Sequence, residues 1–113
     1  MKGAYRSFFI IPKGARRTLS EAGWEFLSTE RIPSELVDSL IERLLLTKTD
    51  SYLGMEEFSS SSLKAIAFLD DLGMVQHVHV RAFKDREIEI ELGTLLSLLD
   101  DRGALEVFSP GRT

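Results

Sequence analysis

Residues 59–75 read Ser-Ser-Ser-Ser-Leu-Lys-Ala-Ile-Ala-Phe-Leu-Asp-Asp-Leu-Gly-Met-Val, and how this stretch folds decides the architecture of the chain. Serine oxygens can accept from the free N–H groups that begin a helix, so one of Ser59–Ser62 suits an N-cap. From Leu63 to Leu69 only Lys64 is polar, which predicts a helix buried over most of its circumference. Gly73 suits the left-handed residue that closes such a helix. Asp70 and Asp71 then fall in its last turn, where the helix dipole disfavours acids, and helix formation gives no reason for them.

Downstream, Val78, Val80 and Ala82 alternate with polar residues, as do Ile88, Ile90 and Leu92. Together they predict a hairpin of Met74–Phe83 with Glu87–Leu92, residue 82 opposing 88, 80 opposing 90 and 78 opposing 92. That register sets Arg81 across from Glu89 and His79 across from Glu91, pairing opposite charges on the outer face. Thr94–Asp101 then predicts a short helix closed by Gly103, and Ala104–Phe108 a final strand. The tail, residues 109–113, is expected to fray. The sequence Leu-Asp-Asp-x-Gly occurs at 69–73 and again at 99–103, which is read as repeated helix-stop chemistry.

Upstream, Leu36, Val37, Leu40, Ile41, Leu44 and Leu45 recur as pairs every four residues behind Pro33, the signature of an amphipathic helix. Residues 52–58 leave a short helix and a turn both open. Thr18-Leu-Ser-Glu21 has the form of a capping box, predicting a helix to about Ser28. Trp24 lies off its apolar stripe and either packs beneath the N-terminal strand or stands exposed as a contact anchor. Residues 4–11, aromatic and β-branched up to Pro12, predict that strand.

A chain of 113 residues is enough for one domain, residues 1–113, and too short for two ordinary ones. With no cysteine, disulfides, thiol catalysis and cysteine-ligated zinc are excluded, and a cytoplasmic location is expected. No apolar run approaches the ~20 residues of a membrane-spanning helix, and the first residues do not resemble a secretory signal. Charge is distributed unevenly: residues 1–17 carry five cations and no acid, the remainder nine cations and all 18 acids. A basic arm on an acidic body suits phosphates, an acidic partner or the chain's own domain. The acidic body argues against a stand-alone DNA binder.

Three constellations carry possible chemistry. Lys13, Arg16 and Arg17 flank a turn leading into the predicted helix N-terminus at Thr18, a place that attracts anions; it lacks the second glycine and Lys-Ser/Thr pair of a P-loop. Tyr5, Phe8 and Phe9 among these cations suit either base stacking or strand packing. His77 and His79 project to one side of the predicted hairpin beside Glu91, a set that would hold a metal, although cross-strand His–Glu pairing explains the same residues. No nucleophile elbow, zinc-protease motif or dinucleotide turn is present. The pairs Asp70-Asp71 and Asp100-Asp101 diverge on their helices and make poor dyads, so neither an enzyme nor a cofactor is expected.

From Pro33 to Leu92 the predicted order is helix, short helix or turn, helix, hairpin. With Leu69-x-x-Leu72-Gly73-Met74-Val75 running straight into a strand, it resembles the winged helix-turn-helix superfamily. The resemblance implies an α+β domain of an N-terminal strand, three or four helices and a β-hairpin. It would turn Ser59–Ser62 and Lys64 toward bases and put Lys84 and Arg86 at the wing tip. The presumptive recognition helix carries one cation, two aspartates and no Asn or Gln, which favours protein docking over base reading. The expectation is therefore a non-enzymatic accessory or regulatory module, an adaptor or an inhibitor- or immunity-type protein. It would bind a protein partner through Lys13, Arg16, Arg17, Trp24 and Phe83. The alternatives are a DNA- or RNA-binding regulator using Lys64, Lys84 and Arg86, and a metal-dependent enzyme at His77, His79 and Glu91. Oligomeric state is not legible.

Overall fold

The alternation at 78, 80 and 82 is the element on which the fold is built. In a computed structural model describing residues 5–83 and 88–110, this segment is strand β7 (Val75–Phe83). Val78, Val80 and Ala82 point into the main core, as their spacing predicts. Their partners are not those of the expected hairpin. Val80 lies opposite Phe8 of β1 (Tyr5–Pro12) on one side and Ala65 of β6 (Leu63–Leu69) on the other.

Residues 63–69 are thus a strand and not a buried helix. A segment with one polar residue in seven serves either form, and here both faces of the strand are largely covered. Leu63, Ala65 and Ala67 face the main core, and Ile66 is buried on the opposite side. The serines cap no helix. Ser60 Oγ accepts hydrogen bonds from the Ser62 and Leu63 amides (both 3.3 Å), shaping the turn from β5 (Met55–Ser59) into β6. Residues 52–58 belong to the antiparallel pair β4 (Thr47–Tyr52) and β5.

Asp70 also has a structural reason. Its carboxylate accepts from the Leu72 and Met74 amides (both 2.9 Å) and from Arg31 Nε (2.8 Å), fastening the turn between β6 and β7. Asp100 Oδ2 likewise accepts from the Leu105 amide (2.9 Å), so the Leu-Asp-Asp-x-Gly echo is shared turn chemistry. The first copy ends a strand and the second a helix.

The expected helix at 18–28 is a hairpin, β2 (Arg16–Ser20) and β3 (Gly23–Leu27). Ser20 pairs with Gly23, so Glu21 turns the corner where the capping box placed it inside a helix. Ser20 Oγ accepts from the Ala22 amide (3.2 Å), and Gly23 takes φ +112°. The six-stranded antiparallel sheet has the order β4-β5-β6-β7-β1-β8, with β8 (Leu105–Phe108) close to the expected last strand.

One side of this sheet carries both helices found among the described residues. Helix α1 (Ser34–Arg43) matches its periodicity and buries Leu36, Val37 and Leu40. Helix α2 (Ile88–Leu99) takes the segment expected to supply the second hairpin strand and extends over the predicted short helix. Ile88, Leu92, Leu95 and Leu96 form its buried stripe, and Ile90 is left exposed. The winged-helix layout is therefore overturned: the chain is a β-rich α+β fold with two helices on one sheet face.

Leu45, counted on the apolar stripe of α1, instead follows the helix at φ +60° with its side chain exposed. Its amide donates to Glu42 O (3.1 Å) and the Leu46 amide to Ile41 O (3.0 Å), the closure for which glycine is the usual residue. Leu45→Gly is expected to stabilise the fold by about 0.5–1 kcal/mol, removing left-handed strain at some cost in unfolded-chain entropy. Urea unfolding of the two proteins measures the difference.

Candidate functional site

A strand that buries one face still presents its other face, and in β7 that face carries His77, His79, Arg81 and Phe83. Phe9 and Tyr5 of β1, Phe68 of β6 and Phe108 of β8 join them by register. So many large rings on one sheet face call for a second covering layer. The β2–β3 hairpin supplies part of it. Trp24 meets Phe108 edge-on (centroids 4.9 Å), and Phe26 meets Phe9 (5.0 Å) and His77 (4.9 Å). Phe9, Ile11 and Ala15 form a small second core there.

Between hairpin and sheet lies a cleft of about 1040 Å³, lined among others by Trp24, Phe26, Phe68, His77, His79 and Arg81. Rings stack along its floor: Phe68 on His77 at 4.5 Å and Phe9 on His79 at 4.3 Å. Three nitrogens in this floor are buried without hydrogen-bond partners among the described residues: His77 Nδ1, His79 Nε2 and Arg81 Nε. Each such group costs about 1–3 kcal/mol, so three in one cleft mark a place where stability has been given up. Burial pushes the pKa of each imidazole down to about 4, aided at His79 by Arg81 and His77. Both rings are neutral at pH 7, and Arg81 is the charged member of this row.

The expected site residues fall in different places. Arg17 forms an ion pair with Glu106 (2.9 Å) and lies over the Phe108 ring (4.6 Å). The Gly14 amide, which an incoming phosphate would need, donates to the same carboxylate (3.0 Å). With Thr18 in a strand, the loop leads into no helix N-terminus, and the anion it holds is the chain's own Glu106. Lys13 and Arg16 are exposed on its rim. Trp24 packs beside β8 at the cleft wall. Phe83 is half-buried edge-on to Tyr5 (5.7 Å), and Trp24 is half-buried against Phe108.

Lys64 sits on β6 opposite Arg81 and pairs with Glu57 (3.8 Å), in no recognition helix. Lys84 and Arg86 lie outside the described residues. The expected metal set is dispersed: Glu91 belongs to α2, across the sheet from His77 and His79. Glu89, expected opposite Arg81, pairs with Arg6 (3.5 Å). No group of three or more potential metal ligands occurs among the described residues. Ser109 and Pro110, assigned to a frayed tail, are half-buried and line the cleft.

Arg81, Phe26, Phe68 and Phe108 were not read as site residues from sequence, and Tyr5 and Phe9 were read only as rings for base stacking or strand packing. The signal was present in β1 and β7, whose faces opposite the aliphatic core carry aromatic rings, imidazoles and a guanidinium, where a solvated face would carry small polar groups. Fold and cleft define an α+β architecture with helices on one sheet face and an aromatic pocket beneath a β-hairpin on the other. Compared with known proteins, the chain matches no family model, no curated protein and no solved structure. No helix among the described residues is long and apolar enough to cross a membrane.

Proposed function

We propose that the chain is a non-enzymatic regulatory module that works by binding a flat, largely apolar small molecule in the aromatic cleft. The observation carrying this is the trio of unpartnered buried nitrogens in the floor of a ring-lined cavity. Its volume is near the upper end of the few hundred to about 1,000 Å³ usual for small-ligand sites. Ring faces supply contact area, and a few polar atoms fix orientation. Neutral imidazoles with no carboxylate dyad among the described lining residues suit recognition better than acid–base turnover. A cytoplasmic setting goes with this function, on the cysteine-free composition.

Trp24 is the chain's one tryptophan and stands at the cleft wall, so its fluorescence reports occupancy without a label. Naphthalene-2-carboxamide, flat and uncharged, is expected to change that emission saturably at one molecule per chain. A dissociation constant below about 1 mM is expected, with a melting temperature that rises with ligand. A linear, unsaturating response with no thermal shift would show that the cleft is not a binding site.

A second function, docking of a protein partner, is favoured by one separate feature. Leu53 and Leu72 are almost wholly exposed on the β4–β5 and β6–β7 turns, which are tied together by the Leu69 amide donating to Gly54 O (2.9 Å). Met74 and Tyr52 flank them, about half exposed. If that patch docks a partner, Leu53→Lys with Leu72→Lys should abolish the complex and leave probe binding in the cleft unchanged.

A further inference from the structure

Alternate residues of a strand lie about 6.6 Å apart along one face, so His77, His79 and Arg81 mark a line of about 13 Å across the cleft floor. Its two ends differ in chemistry. Around His77 stand Phe68, Phe26 and Phe9, a three-sided ring box. Around Arg81 stand Ser7 and Lys64 by register and Tyr5 by contact, and the site turns polar and cationic.

The charges facing this floor can be followed element by element. From β1, Arg6 lies over Phe8 on the helix side and is held by Glu89; from β6, Lys64 is held by Glu57; from β3, Glu25 is at the cleft lining on the hairpin side. From β7 come the two imidazoles and Arg81. Among the described residues no carboxylate forms an ion pair with Arg81. Its guanidinium carbon lies 5.0 Å from the Tyr5 ring centroid, and its Nε is among the buried nitrogens without a partner. A cation is thus retained in a half-buried place, on a domain with an excess of acids, with its Nε donor unfilled among the described residues. Guanidinium held against a ring keeps its edge for a carboxylate, which it meets through two parallel N–H donors.

We propose that the occupant is a flat aromatic monocarboxylate, its ring system among Trp24, Phe26, Phe68 and Phe9 and its carboxylate on Arg81. This rests on the cleft being the binding site, and adds the ligand's charge and direction. One guanidinium matches one carboxylate. A phosphate ester or nucleotide would bring two or more charges to a floor whose other cation, Lys64, is already paired with Glu57. A neutral ligand would leave Arg81 desolvated without compensation.

The test compares naphthalene-2-carboxylate with naphthalene-2-carboxamide, two probes of one shape, by Trp24 fluorescence and thermal shift. In the unaltered protein the carboxylate is expected to bind about 10- to 100-fold more tightly, the range of a charge-assisted pair. Arg81→Gln should remove that preference and leave carboxamide affinity within about threefold; Arg81→Lys should keep part of it. Circular dichroism of each variant confirms the fold is retained. Equal affinities for the two probes, or a carboxylate preference that survives Arg81→Gln, would overturn the acid and leave the cleft standing. Failure of both probes would remove the cleft itself as a ligand site. If naphthyl phosphate outcompetes the carboxylate, the monoanion assignment is wrong.

Discussion

Between pH 6.5 and pH 4.5 the folded protein is expected to lose several kcal/mol of stability, with most of the loss carried by two imidazoles. His77 and His79 are pushed from an ordinary pKa of 6.5 to about 4, chiefly by burial. Above 6.5 both rings are neutral whether the chain is folded or not, so the folded state has its full stability. As the pH falls below 6.5 the unfolded chain takes up protons and the folded one does not, so unfolding becomes progressively easier. The loss levels off near pH 4, where the folded rings titrate too. Each ring fully withheld from protons is worth about 3 kcal/mol over that window. His77, 92% buried by surface area, approaches that figure; His79 is more accessible to solvent and contributes less.

Carboxylates lose stability in the same direction but lower on the scale. Asp70 is held below its ordinary pKa of 3.8 chiefly by Arg31, and Asp50 chiefly by the Tyr52 hydroxyl, so their share is lost only as the pH falls through still lower values. Urea midpoints at pH 7.5, 6.5, 5.5 and 4.5 measure the effect. His77→Phe should remove more than half of the slope and leave stability at pH 7.5 unchanged or higher, since it deletes a buried nitrogen without a partner. Midpoints that stay level from 6.5 to 4.5 would mean that water reaches both rings and that the cleft floor is not as enclosed as described.

The same two imidazoles show how far the sequence could be read. Their direction, away from the aliphatic core, followed from the alternation of Val78 and Val80, and so did the strand. Their neighbours did not follow. Alternation fixes which way a side chain points but not which strand lies alongside, and Phe9 and Ile66 were supplied by segments 70 and 13 residues away. Helix α1 was legible because it presents one buried face with its own period, and strand β1 because its aromatic and β-branched residues run up to Pro12. Strand β6 was not, because a segment with one polar residue in seven and no clear alternation looks the same whether it lies between sheet neighbours or inside a bundle.

At α2 two periods overlap. Ile88, Ile90 and Leu92 alternate, yet Ile88, Leu92, Leu95, Leu96 and Leu99 also fall on one helical stripe. The longer pattern buries four of its residues, and Glu89 and Glu91 stand in the first turn, where acids are favoured. Trp24 and Phe26 belong to the same class of difficulty. Two rings alternating over five residues were outweighed by a capping-box motif that is common outside helices.

Adjacent phenylalanines on β1 should respond very differently to removal, because the sheet places them in different layers. Phe8 is fully buried among the aliphatic side chains of both helices and the sheet. Phe8→Ala is expected to cost about 3–5 kcal/mol, the lost transfer energy plus that of a hole no neighbour can fill. That is a large share of what a domain of this size possesses, and Phe8→Leu should cost markedly less. Phe9 is only 5% exposed, but it stands beside a cleft that solvent enters. The space it vacates joins the cleft, so Phe9→Ala should cost about 2 kcal/mol, with little cavity penalty.

The two variants also separate in what else they change. With the Phe9 ring gone from its stack on His79, water reaches that imidazole. Its pKa should then climb from about 4 toward 6.5, visible in the pH dependence of the His79 ring proton by NMR. Naphthalene-2-carboxamide should bind more weakly to Phe9→Ala, whereas folded Phe8→Leu should bind it as the unaltered protein does. If Phe9→Ala proves as costly as Phe8→Ala and leaves the His79 titration where it was, the second face is an ordinary sealed core, and neither the cleft nor its ligand survives.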